Sequence, residues 1–382
     1  MKKKIIVHVI TRLMNGGADE NTVLTCNYSF EKGDKVILIS GKARDKEILS
    51  KLNSNIDIIF VKNLINKIHP INDFLALVEL IKIIKKISPD VVHTHSSKAG
   101  ILGRLAAKLN NTKLIVHTVH SLPFVNSNFI TKFFYLFMER FASLFTHKII
   151  NVSEGTKKIY LKYGIGKAHD HQVIFSGFDV NKFKNPKKSD LIKNLNIGSS
   201  LKLQKIIVRI GRFEKLKRYE DLIIVYKKVL QKFPNTYLIL VGNGELLDKC
   251  KMLTKKLKLE KNIIFTGFVN DPEKIIALSD ICIMNSEREG LSKAMLQYFA
   301  SGKPVISSNI YGVDEVLKNN VNGCLFNVND NNDLYNKIVH LLSNEDYLNK
   351  LTYGAKETDI SKWSIKSMGE KIDNLYNSEL FF

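Results

Sequence analysis

Cysteine is sparse in this chain of 382 residues: Cys26, Cys250, Cys282 and Cys324 are scattered without paired spacing. That argues against a disulfide framework and reads as reduced, mostly buried thiols in a cytoplasmic protein. No run of 18 uncharged apolar residues occurs, which argues against a spanning helix. The opening MKKKIIVHVITR has the character of a signal n-region for four residues only. His8, Arg12 and Asn15 then interrupt the apolar run, so it reads as a first strand. Acidic residues are also short, 37 Asp and Glu against 58 Lys and Arg, a formal charge of +21. Such an excess favours phosphates, nucleic acid or an acidic membrane surface. Lysines spread along the chain, not gathered in one block, fit a plain compositional bias equally well.

Several chemical signatures are missing too. The loop after the first strand, TRLMNGGADEN, has Gly16 and Gly17 but no third glycine, against a hydride-transfer cofactor. His93, His95, His117 and His120 gather at two strand ends, yet there is no H-E-x-x-H and no nearby set of acids or thiolates. No Asp-x-Asp closes a short strand to hold a divalent ion against a diphosphate. The expectation is chemistry without metal or cofactor. No nucleic-acid-binding module is recognisable.

What is present is a strand–helix alternation, repeated twice. Strands are expected at Ile5–Ile10, Val36–Ser40, Ile56–Phe60, Val91–His93, Leu114–His117, Thr146–Asn151 and Gln172–Phe175. Helices are expected at Asn21–Phe30, Ile71–Ile87 and Ala99–Leu109. The polar stretch Asp179–Ser200 reads as a connection. The pattern then restarts with strands at Lys205–Ile210, Tyr237–Val241, Ile263–Phe265, Ile281–Met284 and Pro304–Ser307. The helices between them are Glu220–Phe233, Glu245–Leu257, Ile275–Leu278 and Leu291–Ala300. This predicts an α/β protein of two Rossmann-like domains, residues 1–178 and 179–360, facing across a cleft. A last helix within residues 361–382 is placed to pack back on the first domain.

The candidate groups lie at strand ends. Gly16 and Gly17 permit close backbone approach to an anion, or make a plain turn. Arg212 and Lys217 follow a strand and could hold a diphosphate, Arg as a fork of donors and Lys as a point charge. Gly242 and Gly244 repeat the glycine pattern at the next strand end. Glu289 precedes a helix that holds Gln297 about two turns on, so both can face one hydroxyl-rich ligand. His120 either presents a ring nitrogen to a polar substrate or is a packed histidine. His93, His95 and Ser96 are candidates on the acceptor side. The segment at Asn128–His147, with apolar positions 130, 133, 134, 137, 141, 144 and 145, is either a core helix or a basic amphipathic surface for anionic lipid.

Taken in order, NGGADE, DVVHTHSSKAGILGRLAAKL, IVHTVH, IGRFEKLKRYEDLI, LVGNGE, the stretch from IIFTGFVNDPEKI to SGKPVIS, and VNGCLF span about Asn15 to Phe326. This ordered set resembles the retaining, nucleotide-sugar-dependent glycosyltransferases of the group 1, GT4-like family, often builders of bacterial surface polysaccharide. The resemblance implies a GT-B fold and transfer from an NDP-sugar, expected UDP-linked, to a saccharide or polyprenyl-linked acceptor. It places Gly16 and Gly17 near donor diphosphate and acceptor, His120 on the transferred sugar, and Arg212 and Lys217 on the diphosphate. Glu289 matches the first glutamate of E-x7-E, and Gly290, Leu291 and Ser292 line the pocket. Gln297 stands where the second glutamate usually meets the ribose, and Arg218 where glycine is common. The alternatives are a scaffold without turnover, associated with carbohydrate or membrane, and a UDP-sugar epimerase of the same fold. A cytoplasmic location is expected, with peripheral contact to the inner membrane face.

Overall fold

Runs such as IIVHVI and TYLILV carry apolar side chains on both sides of the pleat, so a strand made of them must be covered on both faces. The structure, a computed structural model describing residues 3–14, 16–125, 128–184, 186, 204–289 and 292–381, meets that need twice. It divides into two compact units, Met1–Phe178 with Lys362–Phe382, and Asp179–Ser361.

The first unit runs β1 (Ile5–Ile10), α1 (Gly17–Glu31), β2 (Lys35–Gly41), α2 (Lys46–Ser50), β3 (Asp57–Val61), α3 (Pro70–Ile87), β4 (Val91–His95), α4 (Ser97–Leu109), β5 (Leu114–Val119), α5 (Phe129–Ser143), β6 (Lys148–Asn151), α6 (Glu154–Lys162) and β7 (His171–Val173). The strands pair in parallel in the order β3-β2-β1-β4-β5-β6-β7. One sheet face, with Val7, Val9, Val92 and Ile115, packs on α3 and α4 through Leu80, Ile84 and Ala106. The other, with Ile6, Val91, Leu114 and Val116, packs on Met368, Ile372, Leu375 and Tyr376 of the C-terminal helix Ile365–Phe381. That helix also lies on α1, where a Cβ at Gly369 would sit 2.3 Å from the Tyr28 ring. Glycine there is what allows the two helices to meet.

The second unit runs α7 (Val180–Lys184), β8 (Lys205–Ile210), α8 (Tyr219–Lys232), β9 (Thr236–Val241), α9 (Leu247–Lys256), β10 (Ile263–Gly267), α10 (Pro272–Leu278), β11 (Ile281–Met284), α11 (Lys293–Ala300), β12 (Val305–Ser308), β13 (Gly323–Phe326), α12 (Asn331–Ser343) and α13 (Glu345–Lys356). Its parallel sheet has the order β10-β9-β8-β11-β12-β13. Leu222, Tyr226, Leu238, Leu240, Ile283, Ile306, Ile338 and Leu351 belong to its core.

Three departures from the sequence reading have physical causes. Helix α1 begins at Gly17, four residues before expected, because Gly16 takes extended backbone and Asp19 and Glu20 suit the positive end of the helix. The connection contains a helix, α7, held by Lys182 to Asp271 at 3.1 Å and Glu273 at 3.3 Å; residues 187–203 lie outside the described residues. Helix α5 turns its broad apolar side outward. Phe129, Phe133 and Phe137 are 84%, 67% and 58% exposed, while Leu136, Glu139 and Ala142 face inward. Inward it joins a core cluster through Leu136 and makes a buried ion pair from Arg104 of α4 to Glu139 at 2.7 Å, so it is not the core helix whose apolar row at 130, 133, 134, 137, 141, 144 and 145 would be covered.

Candidate active site

An open α/β sheet receives ligands beyond the carboxyl ends of its strands, where the strand order reverses. In the second unit that point lies between β8 and β11. Arg209, near the end of β8, is only 1% exposed, so its charge needs partners inside the protein. Its guanidinium donates to Asn285 Oδ1 at 3.2 Å, to Ser286 Oγ at 3.1 Å and to the Ile210 carbonyl, and lies 5.1 Å from the centre of the Tyr219 ring. Ser286 Oγ in turn donates to Glu289 Oε1, and Lys217 Nζ pairs with the same oxygen at 2.5 Å. Burial pushes the Glu289 carboxyl up. The charges of Lys217 and Arg209, with hydrogen bonds from Lys217 and Ser286, outweigh that and hold it below the usual carboxylate range. The loops after β8 and β11 are tied by Glu287 N–H to the Leu216 carbonyl at 2.8 Å and by Asn285 Nδ2 to the Arg218 carbonyl at 2.7 Å. The result is a fixed alternation of charge, Arg209–Glu289–Lys217, while Arg212 in the loop before Lys217 is exposed.

In the first unit the reversal lies between β1 and β4. Register places His8 beside His93, and His95 beside Thr118. Side chains alternate along a strand, so His8, His93, His95, Thr118 and His120 fall on the face covered by the C-terminal helix. His117 falls on the other, where Thr94 Oγ1 meets its Nδ1 at 2.9 Å. His93 is saturated, with Nδ1 2.6 Å from Tyr376 Oη and Nε2 2.7 Å from Thr118 Oγ1. His95 is saturated as well, Nε2 lying 3.0 Å from His8 Nδ1 and Nδ1 3.1 Å from His120 Nε2. His120 itself is half-buried, one residue past β5. Desolvation lowers His8 to about 3 and His120 to about 4, and takes His93, His95 and His117 well below their ordinary value.

Comparison with known proteins gives these strand-end groups a family. The Glycosyltransferase Family 4 model matches residues 15–182, and the Glycosyl transferases group 1 model matches residues 193–358. An Escherichia coli UDP-Gal:alpha-D-GlcNAc-diphosphoundecaprenol alpha-1,3-galactosyltransferase is 30% identical over 330 residues, 85% of this chain and 84% of the relative. The chain belongs to the group 1 and family 4 glycosyltransferases. A glycosyltransferase structure from Rickettsia africae, 25% identical, aligns over 100% of both chains with a TM-score of 0.83. Anabaena HepE in complex with UDP, 18% identical, aligns over 98% of this chain and 100% of its own with a TM-score of 0.82. The fold is GT-B, and the activity is transfer of a sugar from a nucleotide-sugar donor to an acceptor.

Within this glycosyltransferase, Lys217 and Glu289 are in direct contact and Arg212 is in the same loop as Lys217. Ser292 caps α11 and Gln297 is buried within it, while Gly290 and Leu291 lie outside the described residues. Gly242 and Gly244 have a structural reason to be glycine. A Cβ on Gly242 would lie 2.0 Å from the Gly211 carbonyl oxygen, and one on Gly244 2.4 Å from that of Phe213. Gly16 and Gly17 cap and open α1, and Ser96 Oγ bonds Thr11 Oγ1 at 2.8 Å. Among the described residues, ring nitrogens of His8, His93 and His95 lie within 4.8 Å of one another, close enough to suggest a metal. Their hydrogen bonds use five of those six nitrogens.

Sequence reading missed four contributors. Arg209 was visible as a charge inside the apolar run KIIVRI, and Ser286 lay beside Glu289 in NSERE. His8 had no sequence signal, because its partner His95 is 87 residues away. Asp19, buried beside Gly16, has its carboxyl pushed up to about 6 by burial, against the lowering effects of Arg12 and of the Met14 and Asp19 backbone.

Proposed function

We propose that this glycosyltransferase moves a hexose from a UDP-linked donor, with retention, to a saccharide carried on a lipid diphosphate, and that it works at the cytoplasmic face of an anionic membrane without a resident metal. The observation that carries the reading is the Lys217–Glu289 contact at the strand-order reversal of the second unit, with Arg212 exposed in the same loop as Lys217. Arg212 and Lys217 take up the charge that grows on the diphosphate as its bond to the sugar breaks. Glu289, ionised by its neighbours, accepts hydrogen bonds from sugar hydroxyls while holding Lys217 in place. His120 is assigned to the transferred sugar by resemblance. The acceptor hydroxyl attacks on the side the diphosphate leaves, forms the new C–O bond, and gives its proton to a departing phosphate oxygen.

Support for the donor comes from the UDP in the HepE complex and the UDP-Gal in the name of the Escherichia coli relative. That name also supports an acceptor on a lipid diphosphate. No Asp-x-Asp occurs in the sequence, and the nearby Glu289 is already paired with Lys217, which favours side chains, not a divalent ion, as the counter-charge. For the membrane, support comes from the net charge of +21 and the exposed apolar side of α5 with Lys132 and Arg140 on the same helix. No helix among the described residues is long and apolar enough to cross a membrane. The test is transfer from radiolabelled UDP-sugars to a lipid diphosphate-linked saccharide. Arg212→Ala and Lys217→Ala are each expected to cut turnover about a hundredfold in a folded protein. Unchanged turnover in both would remove the diphosphate role.

A further inference from the structure

The three rings His8, His95 and His120 form one hydrogen-bonded line. His8 Nδ1 meets His95 Nε2 at 3.0 Å, and His95 Nδ1 meets His120 Nε2 at 3.1 Å. Successive ring centres are 5.3 and 5.4 Å apart. The inner end is closed: His8 is fully buried, and its remaining nitrogen, Nε2, has no hydrogen-bond partner. The outer end is open, for Nδ1 of the half-buried His120 is the one nitrogen of that ring outside the line.

A neutral imidazole carries one N–H and one bare nitrogen. The line therefore has two self-consistent states. In one, every proton points inward and His8 Nε2–H becomes a buried donor with nothing to bond. In the other, every proton points outward, His8 Nε2 is bare, and His120 carries its hydrogen on Nδ1. Orphaned N–H groups are rarer in protein interiors than under-used acceptors, and each buried donor left unmade carries its full desolvation cost. The outward state is favoured.

We propose that His8 and His95 are positioning residues that lock His120 as an Nδ1–H donor, so that the ligand group facing it must offer an oxygen lone pair. The lowered basicity of all three rings supports the count of one proton each. The assignment of His120 to the transferred sugar rests on the function proposed above; the polarity of the line does not. Two substitutions at His120 separate the tautomers, since an Asn amide puts its N–H near the Nδ1 position and a Gln amide puts it near Nε2.

The experiment uses the full chain with nitrogen-labelled histidine, in which long-range proton–nitrogen spectra tell bare from protonated ring nitrogens. His120 is assigned by the signal lost in His120→Asn. Wild type is expected to show His120 protonated at Nδ1 and bare at Nε2. His8→Phe, with its fold checked by circular dichroism, leaves His95 Nε2 an unpaired acceptor and should keep the His120 proton on Nδ1, whereas His8→Asp, whose carboxylate accepts from His95 Nε2–H, should turn the line inward and move that proton to Nε2. Protonation at Nε2 in wild type, or a His120 tautomer indifferent to His8→Asp, overturns the proposal. So does a stoichiometric metal in the purified protein whose removal moves the His8, His93 and His95 signals together. In kinetics, both His120 variants should lose kcat/KM, and His120→Gln should lose roughly tenfold more than His120→Asn, the worth of one hydrogen bond; the reverse order counts against it. If no UDP-sugar is turned over, the functional reading fails while the spectra still decide the polarity.

Discussion

Arg218 shows how much one backbone angle explains. The family commonly has glycine at this position, and here the residue has φ +52 and ψ +42, in the left-handed region. A side chain there costs on the order of 1 kcal/mol. Arg218 offsets this by donating from Nε to Asp221 Oδ2 at 2.6 Å, a pair partly open to solvent and worth little. Arg218→Gly is therefore expected to leave stability within about 1 kcal/mol of wild type, with no large loss, in urea unfolding. A fall of 3 kcal/mol or more, roughly the cost of breaking a buried network, would mean the guanidinium holds the loop after β8. Asp19 poses the opposite case, a side chain that strains the fold. Its carboxyl ordinarily titrates near 3.8 and is pushed up to about 6 in the folded chain. Between those values the folded state holds the extra proton, so stability falls as pH rises through that window and the deficit is complete above it. Asp19→Asn should thus be more stable than wild type at pH 7.5 by on the order of 2 kcal/mol, with the gain gone below about pH 4. A gain independent of pH would point to packing instead. A destabilising carboxylate kept beside the Gly16 turn is the kind of group active sites retain, so the same variant is expected to lose transfer activity.

At the scale of elements, the strands were the most legible part. Runs such as KVILIS and TYLILV declare themselves by composition, and their alternation with helices implies a parallel sheet. Partnership between strands was not legible. Nothing in IIVHVI says that His8 lies beside His93, because that follows from β4 crossing to the far side of β1. Alternation did hold one unused clue: His117 and His120 are three apart, so a strand continued through both would send them to opposite faces, as the structure does. The short late elements α6, β13 and α13 escaped because each takes its shape from the sheet it packs on more than from its own pattern. Helix α5 could be read either way from sequence, since a row of Phe at spacing of four suits a core or a lipid surface equally. The buried Arg104–Glu139 pair claims the inward side and leaves the row of Phe outside the core, where vesicle binding tests what covers it. Replacing Phe129, Phe133 and Phe137 by Ser should then leave the melting temperature nearly unchanged. Sedimentation with anionic liposomes should weaken by tenfold or more, since three Phe rings together contribute several kcal/mol when buried. A triple variant that binds vesicles as well as wild type places the contact elsewhere.

For the molecule as a whole, the duplication is the organising fact. Each unit has its own sheet, core and strand-order reversal, and the two reversals are chemically unlike. The first gathers neutral imidazoles, hydroxyls and one reluctant carboxylate. The second gathers Arg209 and Lys217 around an ionised Glu289, with Arg212 exposed in the loop that carries Lys217. A nucleoside diphosphate carries its charge on phosphate, so its free energy of binding should be drawn from the second unit. Added UDP at a hundred times its Kd stabilises the protein it binds by about 2.7 kcal/mol, close to a hundredfold in the opening equilibrium. Hydrogen exchange reads where that stabilisation is felt, because amides exchange through local opening of the segment that holds them. The strongest slowing is expected in residues 211–218 and 285–289, where the loops after β8 and β11 are already hydrogen-bonded to each other. Arg212→Ala should abolish the slowing at that concentration without changing exchange in the absence of UDP, since Arg212 is exposed. If instead UDP slows residues 11–17 or 93–96 most, the diphosphate belongs to the first unit, and the cationic loop of the second has some other partner.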